Sequence, residues 1–154
     1  MERIVYSPIG VIRSPFKEIE GSPIQSSGAK GVQGSIEIQR EYVAGLKDLE
    51  GFSHVVLIYH FHLSQGYDLE VKPFLDNELH GVFATRAPRR PNSVGLSVVK
   101  LIHINDNVLY IEDVDVIDGT PLLDIKPYVP RFDVRETEKT GWLEGKARKA
   151  QEIK

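Results

Sequence analysis

A chain of 154 residues, 41% of them hydrophobic, is long enough for one domain with its own core. It contains no cysteine, which excludes disulfides, thiolate metal sites and cysteine nucleophiles and agrees with a reducing cytoplasm. A formal net charge of −3 excludes a generally basic nucleic-acid coat, so a polyanion has to be met by a local patch.

No run of about 18 apolar residues is present, so no membrane span is expected. Residues 1–10 place charge ahead of a short β-like run and lack the apolar core of a signal peptide, which again points to the cytoplasm. Residues 4–12 (IVYSPIGVI) and 32–38 (VQGSIEI) read as short strands. Between them, residues 15–31 are rich in Gly, Ser and Pro and form a long loop of a kind that often carries function. Residues 40–49 (REYVAGLKDL) set Tyr42, Leu46 and Leu49 at helical spacing, with Gly51 as a stop.

Residues 54–62 (HVVLIYHFH) are almost continuously apolar and read as a buried strand. Residues 80–85, 94–104 and 108–117 supply three more strands. In the last, Val108, Tyr110, Glu112, Val114 and Val116 share one face, with Leu109, Ile111, Asp113, Asp115 and Ile117 on the other. Asn105-Asp106-Asn107 marks a hairpin turn. A C-terminal helix is expected over 142–153, with Lys146, Arg148 and Lys149 on an exposed basic face. No GxGxxG, P-loop or nucleophile elbow occurs, so a doubly wound nucleotide-binding fold is not supported. The elements add up to a mostly β, mostly antiparallel barrel or sandwich with short helical decorations.

Residues 81–100, GVFATRAPRRPNSVGLSVVK, are the most informative stretch. Two β-prone runs flank a loop holding Arg86, Arg89 and Arg90, and Pro88 and Pro91 stiffen it by fixing φ. Guanidinium forks on such a loop suit a carboxylate, a phosphate or a base edge; a solvated surface turn is the plainer reading. A second stretch, residues 112–133, carries Asp113, Asp115, Asp118 and Asp124 around the turn Gly119-Thr120-Pro121. Asp124, Lys126 and Tyr128 alternate along an extended segment, so a carboxylate, an ammonium and a phenol can share one face, with Asp124 a candidate base. A β-turn with an ion pair is the plainer reading, and the acidic spacing does not fit a calcium loop. His54, His60 and His62 fall on one strand face, where three imidazoles could hold zinc; a pocket or a satisfied network is the commoner use, and no metal is expected.

Six blocks occur in order: residues 9–17 (IGVIRSPFK), 51–54 (GFSH), 81–86 (GVFATR), 90–92 (RPN), 95–97 (GLS) and 118–128 (DGTPLLDIKPY). Each is weak alone. Together they resemble the TrmO (TsaA-like) family of S-adenosylmethionine-dependent tRNA methyltransferases, over about residues 4–133. The resemblance implies a small antiparallel β-barrel unlike Rossmann-type methyltransferases, acting as a homodimer with S-adenosylmethionine near the subunit interface. It makes residues 1–135 the barrel domain and 136–154 a C-terminal tail, read as helical, where many bacterial relatives carry a further domain.

The implied reaction is methyl transfer to the N6 nitrogen of threonylcarbamoyladenosine beside the tRNA anticodon. Carried over by position, the cofactor site comprises Pro23, Ile24, Gln25, His62, Leu63, Arg86, Leu96, Asp118, Gly119, Thr120 and Pro121. Ile24 stands where bacterial relatives usually have arginine, and Ser93-Val94 replaces a usual proline-isoleucine pair. On this reading Arg86 meets the cofactor carboxylate bidentately, glycine at 119 permits close backbone approach, and Leu63 and Leu96 pack on apolar parts. Arg89, Arg90 and Asn92 are assigned to substrate, with Arg90 preferred for the threonyl carboxylate. Asp124, Lys126 and Tyr128 are the expected catalytic set, removing the acceptor proton. The tRNA anticodon loop offers unstacked bases and phosphates to aromatic and basic side chains. Two alternatives stand: a methyltransferase of the same core with a smaller acceptor, and a non-catalytic cofactor- or RNA-binding module.

Overall fold

The computed structural model describes residues 1–18 and 26–146. Eight strands follow in chain order: β1 (Gly10–Arg13), β2 (Gln33–Ile38), β3 (His54–His60), β4 (Glu70–Val71), β5 (His80–Gly81), β6 (Val94–Asn105), β7 (Val108–Glu112) and β8 (Thr120–Pro127). Six of them close into an antiparallel barrel in the order β1-β2-β7-β6-β3-β8, with β8 returning to β1. β4 and β5 form a separate two-stranded sheet in the excursion between β3 and β6. The expected mostly β, non-Rossmann barrel is therefore the fold.

Strand alternation fills the interior. Val55 and Leu57 of β3 meet Val99 and Leu101 of β6, Leu109 and Ile111 of β7, and Ile12, Ile36 and Leu122 from the remaining strands. All are almost fully buried, and such side chains contribute about 1.5–3 kcal/mol each on leaving water.

Several boundaries move for local reasons. β1 begins at Gly10 and not at residue 4, because Pro8 has no N–H for a ladder; Ile4, Val5 and Tyr6 lie exposed. The helix expected over 40–49 is two 3-10 turns, Arg40–Leu46 and Leu49–Gly51. They are parted at Asp48, whose φ of 68° is left-handed. The strand expected over 80–85 stops at Gly81. Val82 donates its N–H to the Leu69 carbonyl and starts a 3-10 turn that the Thr85 hydroxyl closes onto Val82.

β7 stops at Glu112 because Asp113 adopts φ 69°. That slip moves the inward face from Leu109 and Ile111 to Val114 and Val116, reversing the alternation expected beyond residue 112. A bulge at Leu123 in β8 has the same effect, turning Asp124 outward while Leu122 and Ile125 both pack on the core. The expected hairpin at 105–107 is present, with Asp106 left-handed at φ 57°. Within the expected helix 142–153, Gly141–Leu143 is a single 3-10 turn; Arg148 and Lys149 lie outside the described residues. Among the described residues no helix is long and apolar enough to cross a membrane.

Candidate active site

β6, β3 and β8 are neighbours in the barrel, and their register brings together one set of ends. His60, the last residue of β3, pairs with Val94, the first of β6, and Tyr59 pairs with Leu122 near the start of β8. His62 and Leu63 follow β3, Arg86 lies in the loop before β6, Leu96 is near the start of β6, and Asp118 to Pro121 enter β8. Residues separated by up to 59 positions thus gather at one end of the barrel. Pro23, Ile24 and Gln25 lie outside the described residues.

The entry turn into β8 is tied to the segment after β1. Asp118 accepts the Ser14 N–H at 3.0 Å through Oδ1 and the Lys17 ammonium at 2.8 Å through Oδ2. The Lys17 hydrogen bond holds the Asp118 carboxyl below its ordinary range, helped by the Ser14 N–H and the charges of Lys17 and Arg13 against a desolvation cost. Asp118 and Gly119 also donate their N–H groups to the Phe16 and Ile12 carbonyls at 2.7 and 2.8 Å. Gly119 has a left-handed φ of 85°, and a Cβ there would lie 4.0 Å from His62 Nε2, so the imidazole faces the turn. Burial first, and then the His60 charge, lower the His62 pKa against the opposing pull of Asp118, which leaves His62 neutral at pH 7. Thr120 is buried, and its hydroxyl and N–H both go to the Ile117 carbonyl, so its side chain locks the turn.

The three loop arginines divide sharply. Arg89 donates to the Gln65 carbonyl at 2.9 Å and to Asp68 at 3.2 Å. Arg90 donates through Nη1 to the Thr85 and Ala87 carbonyls at 2.8 and 3.1 Å. Both brace the loop. Arg86 is exposed and makes no hydrogen bond or ion pair among the described residues, leaving its guanidinium fork open to an anion. Leu63 and Leu96 are 46% and 55% exposed and give the same end of the barrel apolar surface. Asn92 is exposed, with its carbonyl accepting the Val94 N–H.

Asp124 and Lys126 lie on the outer face of β8 and Tyr128 follows just past its end, so the three run away from this end of the barrel. Asp124 stands opposite Ile58 and pairs with Lys126 at 3.0 Å. Tyr128 donates its N–H to the His54 carbonyl, and its ring meets the His54 imidazole edge-on at 6.5 Å. His54 and His60 are the two ends of β3, roughly 20 Å apart at strand rise. Within one chain the phenol is therefore not brought to the Asp118 turn. His62 lies beyond β3, so the three imidazoles do not form one row; among the described residues no group of His, Cys, Asp or Glu is placed to hold a metal. Sequence reasoning gave no role to Ser14 and Lys17, although both stand in the block at residues 9–17; only the barrel closure of β8 on β1 sets them against Asp118.

Comparisons with known proteins fit this geometry. A family model described as the tRNA-methyltransferase O N-terminal domain matches residues 11–134. A probable S-adenosyl-L-methionine-binding protein of Pyrococcus abyssi is 56% identical over 151 residues, covering 98% of this chain and 82% of that protein. A tRNA (adenine(37)-N6)-methyltransferase of Mus musculus is 36% identical over 137 residues, 84% of this chain and 32% of that protein. The crystal structure of TrmO from Pseudomonas aeruginosa superposes with a TM-score of 0.77 at 38% identity, covering 92% of this chain. This chain spans 63% of the length of that TrmO. With the six-stranded barrel and the gathered strand ends, these matches establish that the chain belongs to the tRNA-methyltransferase O N-terminal domain family.

Proposed function

We propose that the chain binds S-adenosylmethionine at the barrel end where β3 finishes and β6 and β8 start. We further propose that it methylates the N6 nitrogen of threonylcarbamoyladenosine in a tRNA anticodon loop. The observation that carries this reading is the register of β3, β6 and β8, which sets the end of β3 beside the starts of β6 and β8, with His62 facing the Gly119 turn and Arg89 tying the Arg86 loop to Gln65 and Asp68. The chemistry at this end suits the cofactor: an open guanidinium for its carboxylate, exposed leucines for its apolar parts, and a glycine turn without a side chain in the way.

When bound, S-adenosylmethionine supplies a methyl group activated on a sulfonium. Holding the acceptor nitrogen in line is the chief task of the protein, and positioning of that kind contributes most of the rate. Arg90 keeps Nε and Nη2 unengaged among the described residues, and it is assigned to the threonyl carboxylate with Asn92 beside it. Arg89 braces the loop from the other side. His62 Nε2, neutral and facing the turn, takes the acceptor proton; Asp124, ion-paired to Lys126 on the outer face, is the less suited base.

A second copy of the chain is the partner assigned to the exposed apolar side chains Tyr67, Leu69, Phe74, Leu79 and Phe83 of the β4–β5 excursion. The cysteine-free composition suits a cytoplasmic site of action on tRNA. The reading is tested by methyl incorporation into tRNA with and without the threonylcarbamoyl group. Transfer only to the modified tRNA supports it. Cofactor binding without RNA binding favours a smaller acceptor, and binding of both without transfer favours a non-catalytic module.

A further inference from the structure

The single tryptophan of the chain, Trp142, stands near the C-terminus, and its contacts lead back to the arginine loop. Residues 131–140 are all exposed. Beyond them Gly141–Leu143 makes a 3-10 turn, which Thr140 closes by donating its N–H and hydroxyl to the Glu144 carboxylate. Trp142 stacks on the His80 imidazole, with ring centroids 4.7 Å apart and planes 18° from parallel. Its indole N–H donates to the Ala84 carbonyl at 2.7 Å. His80 Nε2 and Lys146 Nζ both donate to Asp76 Oδ2, at 2.7 and 3.2 Å. The Asp76 and His80 side chains are 16% and 18% exposed, so these bonds face less competition from water than a surface pair does.

Ala84 is two residues before Arg86, and the backbone between them is held at each step. The Thr85 N–H and hydroxyl both go to the Val82 carbonyl, at 3.1 and 2.8 Å. Thr85 Oγ1 in turn accepts the Ala87 N–H at 3.3 Å. Arg90 holds the Thr85 and Ala87 carbonyls through Nη1. Arg86 therefore stands at the crown of an arch whose two feet, Thr85 and Ala87, are both pinned. Trp142 grips the turn from which the arch springs. Without that donor, the Val82–Ala84 turn keeps only its own local bonds, and an isolated 3-10 turn of three residues is weak.

We propose that Gly141–Lys146 is a strap and that Trp142 and His80 are positioning residues, which when docked hold the Arg86 loop in the arrangement that receives the cofactor carboxylate. This rests on the reading that Arg86 takes that carboxylate. Strap docking and cofactor binding are then coupled, and the coupling is reciprocal: the factor that docking adds to affinity, the bound cofactor adds to docking. A short segment reached through exposed chain opens at lower free energy than the barrel strands, which gives the coupling an equilibrium to act on.

The test is calorimetric titration of wild type, Trp142→Phe, His80→Gln, Arg86→Ala and the double variant of Trp142→Phe with Arg86→Ala. Each is titrated with S-adenosylmethionine and with 5′-methylthioadenosine, which lacks the aminoacyl arm. Trp142→Phe keeps an aromatic ring on His80 and removes the bond to Ala84. It is expected to weaken S-adenosylmethionine about fivefold, one neutral hydrogen bond's net contribution. His80→Gln removes the stacking partner and is expected to have a similar effect. Both should leave 5′-methylthioadenosine unchanged, and Trp142→Phe should add nothing once Arg86 is alanine. In wild type, amide exchange across residues 141–146 should slow by the same factor on saturation with S-adenosylmethionine, and not with 5′-methylthioadenosine. Equal weakening of both ligands, a loss that adds to that of Arg86→Ala, or exchange indifferent to the cofactor overturns the strap's role. So does an unchanged affinity in Trp142→Phe while Arg86→Ala binds weakly. Wild-type affinity in Arg86→Ala overturns instead the carboxylate reading, and the strap's role with it.

Discussion

Arg86 and Arg90 stand four positions apart in one loop, yet truncating them should have opposite consequences. Arg86 touches nothing by hydrogen bond or ion pair among the described residues, so Arg86→Ala should leave stability within about 0.5 kcal/mol, as at ordinary surface sites. Arg90 donates to two loop carbonyls at 2.8 and 3.1 Å and is half-buried. Its loss should cost about 2 kcal/mol, or roughly 4–8 °C in Tm for a chain of this size. Binding should reverse the order. A charge-assisted hydrogen bond to the ligand carboxylate contributes about 1.5–3 kcal/mol, so Arg86→Ala should weaken S-adenosylmethionine by about 10- to 150-fold. Isothermal titration gives Kd, and differential scanning calorimetry of the same samples gives Tm. Wild-type affinity in Arg86→Ala refutes the carboxylate role, and a Tm loss there equal to that of Arg90→Ala refutes the division of labour.

Burial pushes the Asp115 carboxyl up to about 6, above the ordinary 3.8 of an unfolded chain, so the native state holds its proton more tightly. Its contribution to stability is full below about pH 4 and is lost as pH rises through 6, by up to about 3 kcal/mol. Denaturant titrations from pH 4 to 7.5 should therefore shift the stability difference between Asp115→Asn and wild type in the variant's favour; a pH-independent difference would contradict this. His62→Asn should lower kcat by about 10²-fold or more with cofactor Kd within a few-fold, whereas Asp124→Asn should leave kcat within a few-fold. The reverse ranking in single-turnover assays would return the base role to Asp124. Trp142 stacks on His80 at 4.7 Å and donates its indole N–H to the Ala84 carbonyl at 2.7 Å. Trp142→Phe should accordingly speed amide exchange over residues 76–84, and unchanged exchange would show that this docking contributes nothing.

What the sequence disclosed was whatever a local pattern can encode. The apolar run of β3, the Asn105-Asp106-Asn107 turn and the absent GxGxxG were enough for an antiparallel β-fold without a Rossmann core. Phase slips were not legible: Asp113 at φ 69° and the bulge at Leu123 each exchange inner and outer faces, and nothing in residue type announces them. The helix over 40–49 failed because apolar spacing is blind to Gly45 and to a left-handed Asp48. At the site, the arginine loop was visible, but not that Arg90 folds back on the carbonyls of its own loop or that Arg89 reaches Gln65 and Asp68, partners 24 and 21 residues away. The alternation of Asp124 and Lys126 along β8 was legible, but only the register of β8 on β3 reveals that this line leads away from His62 toward His54. The link of Lys17 and Ser14 to Asp118 spans more than 100 residues and exists only because the barrel closes.

The most direct test of the account is calorimetric titration of the purified protein with S-adenosylmethionine, followed by anticodon stem-loop RNA with and without the threonylcarbamoyl group. The account predicts one cofactor site per chain, lost in affinity when Arg86 is alanine, and binding of the modified RNA in preference to the unmodified one. Absence of cofactor binding at millimolar concentration would contradict it.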